Sequence, residues 1–183
     1  ILLVDEAYFH FSPVTAIKLC SEYPNVVVSQ TFSKAFGLAG LRLGYCVGPT
    51  ARIQEIEKLR ALTQSNAIAL KAASYVLENK TWALGRVADV IAGRDYLLER
   101  FLESNLNTFP STANFVLLGC TSEESAIRLV EEARNLEYAI RGPVTAPPLA
   151  DFVRITAGPL SVMEKFWEQT QGLILNLAAR RGS

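Results

Sequence analysis

The chain has 183 residues, 50% of them hydrophobic, with 18 Lys and Arg against 18 Asp and Glu and a formal net charge of zero. That is enough apolar material for the core of one ordinary domain or two small ones, and it excludes both the basic field that draws nucleic acid and a polybasic patch for anionic membranes. No apolar run approaches the ~18 residues of a spanning helix, the opening residues lack the basic leader of a signal peptide, and Cys20, Cys46 and Cys120 lie far apart without metal-ligand spacing, as expected for a reduced, cytoplasmic compartment.

The first element, Ile1-Leu2-Leu3-Val4, is an apolar run that stops at an acid, Asp5. It is expected to be a fully buried parallel strand ending at its carboxyl edge, where open α/β sheets bind ligands. Asp5 and Tyr8 would then lie on a ligand-binding rim, although an acid there also suits a cap or turn. A short helix is expected near residues 14–22, a second strand at 26–29 and a third at 41–47, stopped by Gly48-Pro49. Strand alternating with helix argues for a parallel sheet. Residues 29–46 join the second and third strands and hold a single lysine, Lys34, between Thr31, Ser33 and a glycine-rich run of Gly37, Gly40 and Gly44 that includes Arg42. A lysine beside small hydroxyls, flexible backbone and an arginine suits a site that binds phosphate and forms a covalent imine. The plainer alternative is a strand, a turn and a surface lysine.

Thr50 is expected to cap a helix over 50–62, with Ile53, Ile56 and Leu59 at helical spacing. Ser65-Asn66 would cap the next, to about residue 77. Thr81 would cap the longest, 81–106, whose apolar residues Leu84, Val87, Val90, Ile91, Leu97, Leu98, Phe101 and Leu102 recur every three to four positions. A helix of that length, free of proline, suits a bridge between domains. Beyond Pro110 the pattern becomes a small α+β unit. It has strands at 114–118, 138–141 and 152–156, and a helix at 122–135 with Ile127, Leu129, Val130 and Ala133 inward. A proline-rich loop spans 142–148, and a closing helix spans 161–178. Residues 179–183 are expected to fray.

Asp5-Glu6-Ala7-Tyr8, followed by Ser33-Lys34-Ala35-Phe36-Gly37-Leu38-Ala39-Gly40-Leu41-Arg42-Leu43-Gly44-Tyr45, resembles the pyridoxal-phosphate aminotransferases of fold type I. Within them the chain is most similar to histidinol-phosphate aminotransferases. Two later patches, residues 111–117 and 152–158, follow in the family's order, so the resemblance runs from residue 1 to about 170. It implies an α/β fold in two parts: residues 1–80 end a large, mostly parallel-sheet domain, and residues 81–183 form a bridging helix and a small C-terminal domain. The opening inside a strand matches the second half of such an enzyme. The other half would carry the glycine-rich phosphate cup and the aromatic that stacks on the cofactor ring. This piece alone is then expected to aggregate or to need a partner chain.

The resemblance also implies roles. Lys34 would form the Schiff base with pyridoxal 5'-phosphate and then move the proton at Cα. Asp5 would pair with the pyridine nitrogen and keep the ring cationic, and Tyr8 would hydrogen-bond the ring's phenolic oxygen. Thr31 and Ser33, two residues apart on extended chain, would point the same way and bind phosphate with Arg42. Arg154 would take the substrate's carboxylate or other anionic end, the alternative being an ion pair with Glu131 or Asp151. Arg141 would contribute to substrate phosphate, and Asn114 would bind substrate or merely hold its loop. His10, where the family often has an acid, reads as a loop or solvent residue. The implied reaction moves an amino group between an amino acid or histidinol phosphate and a 2-oxo acid such as 2-oxoglutarate, in a cytoplasmic homodimer. A decarboxylase of the threonine-phosphate type and an inactive truncated homologue are the alternatives. Two departures from the family, at residues 61–65 and in the plain proline loop, leave room for another substrate.

Overall fold

The computed structural model describes residues 1–12, 14–59, 65–145 and 148–182. These form two compact units, Ile1–Val87 and Ala88–Ser183, and the division falls inside the longest helix rather than at its start.

The first unit is built on a three-stranded sheet, β1 (Leu2–Asp5), β2 (Val26–Thr31) and β3 (Gly44–Val47), in that spatial order. β1 and β2 are parallel, with Asp5 opposite Ser29; β2 and β3 are antiparallel, with Ser29 opposite Cys46. Within this chain β2 is the buried strand, and β1 shows the exposed sheet edge expected of a strand at the start of this sequence. Val26, Val27 and Val28 are buried because β2 is central, whereas Leu2 and Leu3 on the edge strand are 53% and 60% exposed. β3 is shorter than expected, since residues Ala39–Leu41 turn as a 3-10 helix and Arg42 adopts a left-handed conformation. The helix expected at 14–22 shrinks to α1 (Leu19–Glu22), because the Thr15 hydroxyl accepts the Ile17 N–H and Glu6 accepts the Ala16 N–H.

Helix α2 (Thr50–Glu57) starts at Pro49 and carries no side-chain cap from Thr50; its expected continuation over 60–62 lies outside the described residues. Asn66 does cap α3 (Ala67–Glu78), accepting the Ala69 N–H at 2.7 Å. Thr81 caps nothing. The joint before α4 (Lys80–Glu103) is Asn79, whose side chain donates to the Tyr75 carbonyl and whose own carbonyl accepts from Trp82 and Ala83. Leu84 and Leu102 are exposed rather than inward.

The second unit pairs β4 (Phe115–Gly119) with β5 (Phe152–Thr156) antiparallel, packed with α5 (Glu123–Asn135) and α6 (Leu160–Leu177). Period-two alternation puts Val116, Leu118, Val153 and Ile155 into the core with Leu97, Phe101, Leu129 and Ile174. α4 ends in a Schellman turn: Leu106 N–H bonds Phe101 O and Asn105 N–H bonds Leu102 O, with Asn105 left-handed at φ 57°. α5 ends the same way at Glu137, φ 67°, where no glycine signals it. Its buried face is Ala126, Leu129 and Ala133; Ile127 is exposed. Residues 138–141 form no strand. Arg141 alone pairs with Arg154, and Pro143 lacks the N–H that would extend the ladder. Residues 178–181 do not fray: Ala179 N–H bonds Gly119 O and Arg181 N–H bonds Asn105 O, adding backbone partners at the end of the strand pair.

Candidate active site

In the first unit the C-terminal ends of β1 and β2 place Asp5 beside Ser29. Asp5 Oδ1 accepts the Ala7 N–H at 3.0 Å and the Ser29 hydroxyl at 3.4 Å, while its side chain stays accessible to solvent. These two donors orient the Asp5 carboxyl group on the strand-end rim. The chain then turns so that Tyr8 meets the loop after β2, and Lys34 Nζ lies 5.5 Å from the centroid of the Tyr8 ring. Asp5 and Lys34 are both exposed.

Thr31 and Ser33 are not presented side by side on extended chain. β2 ends at Thr31, whose hydroxyl donates to Leu43 O at 3.3 Å and accepts the Ser33 N–H at 3.1 Å. The Thr31 side chain thus locks the turn that delivers Lys34, and the Ser33 hydroxyl is the one left over. Arg42 folds back on its own turn, donating from Nη1 to Ala39 O at 3.1 Å, with the rest of the guanidinium exposed. Two glycines here meet real constraints. Gly37 has φ 68°, and a Cβ on Gly44 would lie 2.7 Å from the Gln30 carbonyl oxygen. Arg42 and Ser29 share a cavity of about 720 Å³ with Tyr45, Cys46, Ile53 and Ser65; Asp5, Tyr8 and Lys34 are not in its wall.

Behind Asp5 lies a polar network invisible in the sequence. Glu6 accepts from the Ala16 N–H at 2.6 Å, the Gln30 amide at 2.8 Å and the Thr15 hydroxyl at 2.9 Å, and Tyr45 donates to the Gln30 amide oxygen. Burial pushes the Glu6 carboxyl up, but the three donors outweigh it and hold its pKa below the usual range. Burial and the Glu6 charge together raise the Tyr45 hydroxyl. His10 is not a loop residue in solvent. It is half-buried, edge-on to Phe9 at 5.1 Å and to Phe36 at 4.8 Å, and burial lowers its pKa. Through Phe36 it braces the loop that carries Lys34.

The second unit gathers another set. Arg154 sits mid-strand on the face of β5 away from the core, with its guanidinium 5.3 Å from the Phe115 ring centroid. Its Nε is buried without a hydrogen-bond partner, and no ion pair joins it to Glu131 or Asp151 among the described residues. Arg141 is its backbone partner: each donates its N–H to the other's carbonyl, at 3.0 and 2.6 Å. Both line a cavity of about 370 Å³ with Phe115, Leu117, Val144 and Thr145, and no acid borders it among the described residues. Two arginines lining one cavity are chemically suited to an anion. Asn114 is not among the residues lining it; its carbonyl accepts the Ala157 N–H at 2.9 Å. Sequence reasoning missed Ser29, Glu6 and Phe115. Only the register of β1 on β2 could have flagged Ser29, as the partner of Asp5.

The family model for aminotransferase class I and II matches residues 1–169. The chain belongs to the class I and II aminotransferases. Among curated members of this family, histidinol-phosphate aminotransferase 1 of Carboxydothermus hydrogenoformans is 37% identical over 158 residues, covering 86% of this chain and 44% of the relative. The histidinol-phosphate aminotransferase of Thermosynechococcus vestitus is 32% identical over 173 residues, covering 93% and 45%. The chain thus spans less than half the length of these relatives. Of solved structures, histidinol-phosphate aminotransferase from Sinorhizobium meliloti in complex with pyridoxal-5'-phosphate superposes with a TM-score of 0.83 at 28% identity, over 96% of this chain and 49% of that one. L-threonine-O-3-phosphate decarboxylase from Porphyromonas gingivalis gives 0.76 at 21% identity, over 94% and 54%, a likeness of fold alone. The aminotransferase chain is therefore α/β and carries part of the pyridoxal-phosphate-dependent fold type I.

Proposed function

We propose that this chain supplies the lysine, the ring-binding acid and the substrate arginines of a pyridoxal-phosphate-dependent aminotransferase. The enzyme would exchange an amino group between histidinol phosphate or an amino acid and a 2-oxo acid such as 2-oxoglutarate. The observation that carries this reading is the approach of the Lys34 amine to the Tyr8 ring, 5.5 Å, on the strand-end rim that also holds Asp5. The donor set fits pyridoxal 5'-phosphate: an acid oriented by two hydrogen bonds, a phenol, an accessible amine, a serine hydroxyl and an exposed arginine. When bound, that group supplies an electron sink for charge developing at the substrate's Cα.

Each side chain then has a task. Asp5 would hold a proton on the ring nitrogen, with its carboxylate aimed by Ala7 and Ser29. Tyr8 would donate to the ring oxygen. Ser33 and Arg42 would bind phosphate, and Thr31 would shape the turn that places them. Lys34 would anchor the cofactor covalently and, once released, carry the proton to and from Cα. Arg154 and Arg141 would bind the anionic groups of the substrate in a cavity whose described lining holds no acid, and Asn114, whose carbonyl accepts the Ala157 N–H, would bind substrate or hold its loop. We further propose that residues 1–80 belong to the large cofactor-binding domain, and residues 81–183 to the bridging helix and small domain. A cytoplasmic homodimer is the proposed assembly, in line with the apolar side chains Ile68, Tyr75 and Trp82, which are 74%, 63% and 63% exposed.

The test is labelling and turnover of the full-length chain. Incubation with pyridoxal phosphate, borohydride reduction and peptide mapping should put the pyridoxyl group on Lys34. Histidinol phosphate and 2-oxoglutarate should then yield glutamate. A label on another lysine would overturn the site. Carbon dioxide released from threonine phosphate, with no glutamate formed, would favour decarboxylation.

A further inference from the structure

We propose that Gly93 and Arg94, adjacent on α4, are positioning residues that set the place of the Arg154 guanidinium. The proposal rests on the reading of the Arg141–Arg154 cavity as the substrate's anion site. Arg94 is only 8% exposed, unusual for a charge in mid-helix. Its Nε and Nη2 both lie 2.8 Å from Oδ1 of the neighbouring Asp95, and its Nη1 donates to the Ala113 carbonyl at 3.2 Å. Ala113 immediately precedes Asn114 and Phe115, the start of β4 and the ring under Arg154. On the next residue back, a Cβ at Gly93 would lie 2.1 Å from the Gly158 carbonyl oxygen and 2.9 Å from Met163 Cγ. Gly158 follows the end of β5. Because β4 and β5 are antiparallel, with Phe115 opposite Thr156, the lead-in to one and the exit from the other lie at the same end of the pair. Two consecutive helix residues therefore grip both strands next to the anion cavity.

Arg154 needs such a grip. Its Nε is buried without a hydrogen-bond partner and no ion pair among the described residues holds its guanidinium, so its position follows from the strand beneath it and the Phe115 ring beside it. If Arg94 served packing alone, methionine would fill its place without the cost of burying a charge. Asp95, with its side chain 57% exposed, would remain solvated after that change. Stability and anion binding should thus separate.

The Arg154 Nε–H resonance, assigned by its loss in Arg154→Lys, is a local reporter for titration of the full-length chain with inorganic phosphate. Arg94→Met is expected to weaken phosphate binding at that resonance about tenfold with little change in melting temperature, and Arg94→Lys to recover most of it. Affinity unchanged in Arg94→Met would overturn the proposal. Should that variant not fold, Gly93→Ala decides instead: a displaced Arg154 resonance with weaker phosphate binding supports the positioning role, and an unchanged titration overturns it. If phosphate leaves the Arg154 resonance unmoved in the unaltered protein, the reading of the cavity falls and this inference with it. A normal response there, together with an unaffected Arg94→Met, removes the inference alone.

Discussion

The two units of this chain divide the work differently. In Ala88–Ser183 an apolar cluster of Leu97, Phe101, Leu106, Val116, Leu118, Leu129 and Ile174 is sealed from solvent. In Ile1–Val87 Val26, Val27 and Val28 of one central strand are buried together with Phe11, Phe32, Val76 and several alanines, while Leu2, Leu3, Ile68, Tyr75 and Trp82 stand exposed. The proposed cofactor residues belong to the second kind of surroundings: Asp5, Lys34 and Arg42 are exposed, held by turns and hydrogen bonds rather than by a core. The lesson is that catalytic groups here are expected to carry function with little stability, and core groups the reverse.

The strongest break of that comparison is Lys34→Ala. It should abolish pyridoxyl labelling at that position and lower turnover by about 10⁴-fold or more, while the melting temperature stays put. A large fall in melting temperature would contradict the division. Next comes Phe101→Ala, expected to cost about 3–5 kcal/mol, against under about 0.5 kcal/mol for the exposed Leu3→Ala. The two tryptophans, Trp82 and Trp167, lie one in each unit, so urea unfolding of single-tryptophan variants reads the units separately. Equal losses from the two substitutions would erase the contrast. Gly44→Ala should cost about 1–3 kcal/mol, seen in the Trp82 signal, because its Cβ would press on the Gln30 carbonyl at 2.7 Å and part β3 from β2.

The smallest effect is a pH dependence. Glu6 titrates below its ordinary value in the folded chain, so its stabilisation is present above the unfolded value and lost as pH falls through the folded one. Urea midpoints of the unaltered chain should therefore fall between about pH 5 and 3, and Glu6→Gln should flatten that limb. Parallel slopes in the two proteins would show that the network around Glu6 does not stabilise its ionised form.

Elements with a local signature were legible. Asn66 caps α3 as its position suggested, and the strands expected at 114–118 and 152–156 form as β4 and β5 with Arg154 in mid-strand, while Ser122, expected as the first residue of its helix, caps α5 instead. Signals failed where a non-local partner decided the outcome. Thr15 and Ala16 were drawn to Glu6 and shortened α1, Asn79 and not Thr81 made the joint before α4, and Glu137 took a left-handed turn without glycine. Of residues 61–65, where the chain departs from the family pattern, 61–64 lie outside the described residues.

By itself the sequence determined the family, the candidate lysine, acid and arginines, and most of the helices and strands, because spacing and residue chemistry are local properties that survive without coordinates. Only the tertiary structure decided that β2 is the central strand, that the Thr31 hydroxyl is spent on a turn, that Glu6 anchors the segment behind Asp5, and that Arg94 reaches the strand pair carrying Arg154. Each of these depends on which groups compete for one hydrogen bond or one buried volume, and that competition is settled between residues distant in the chain.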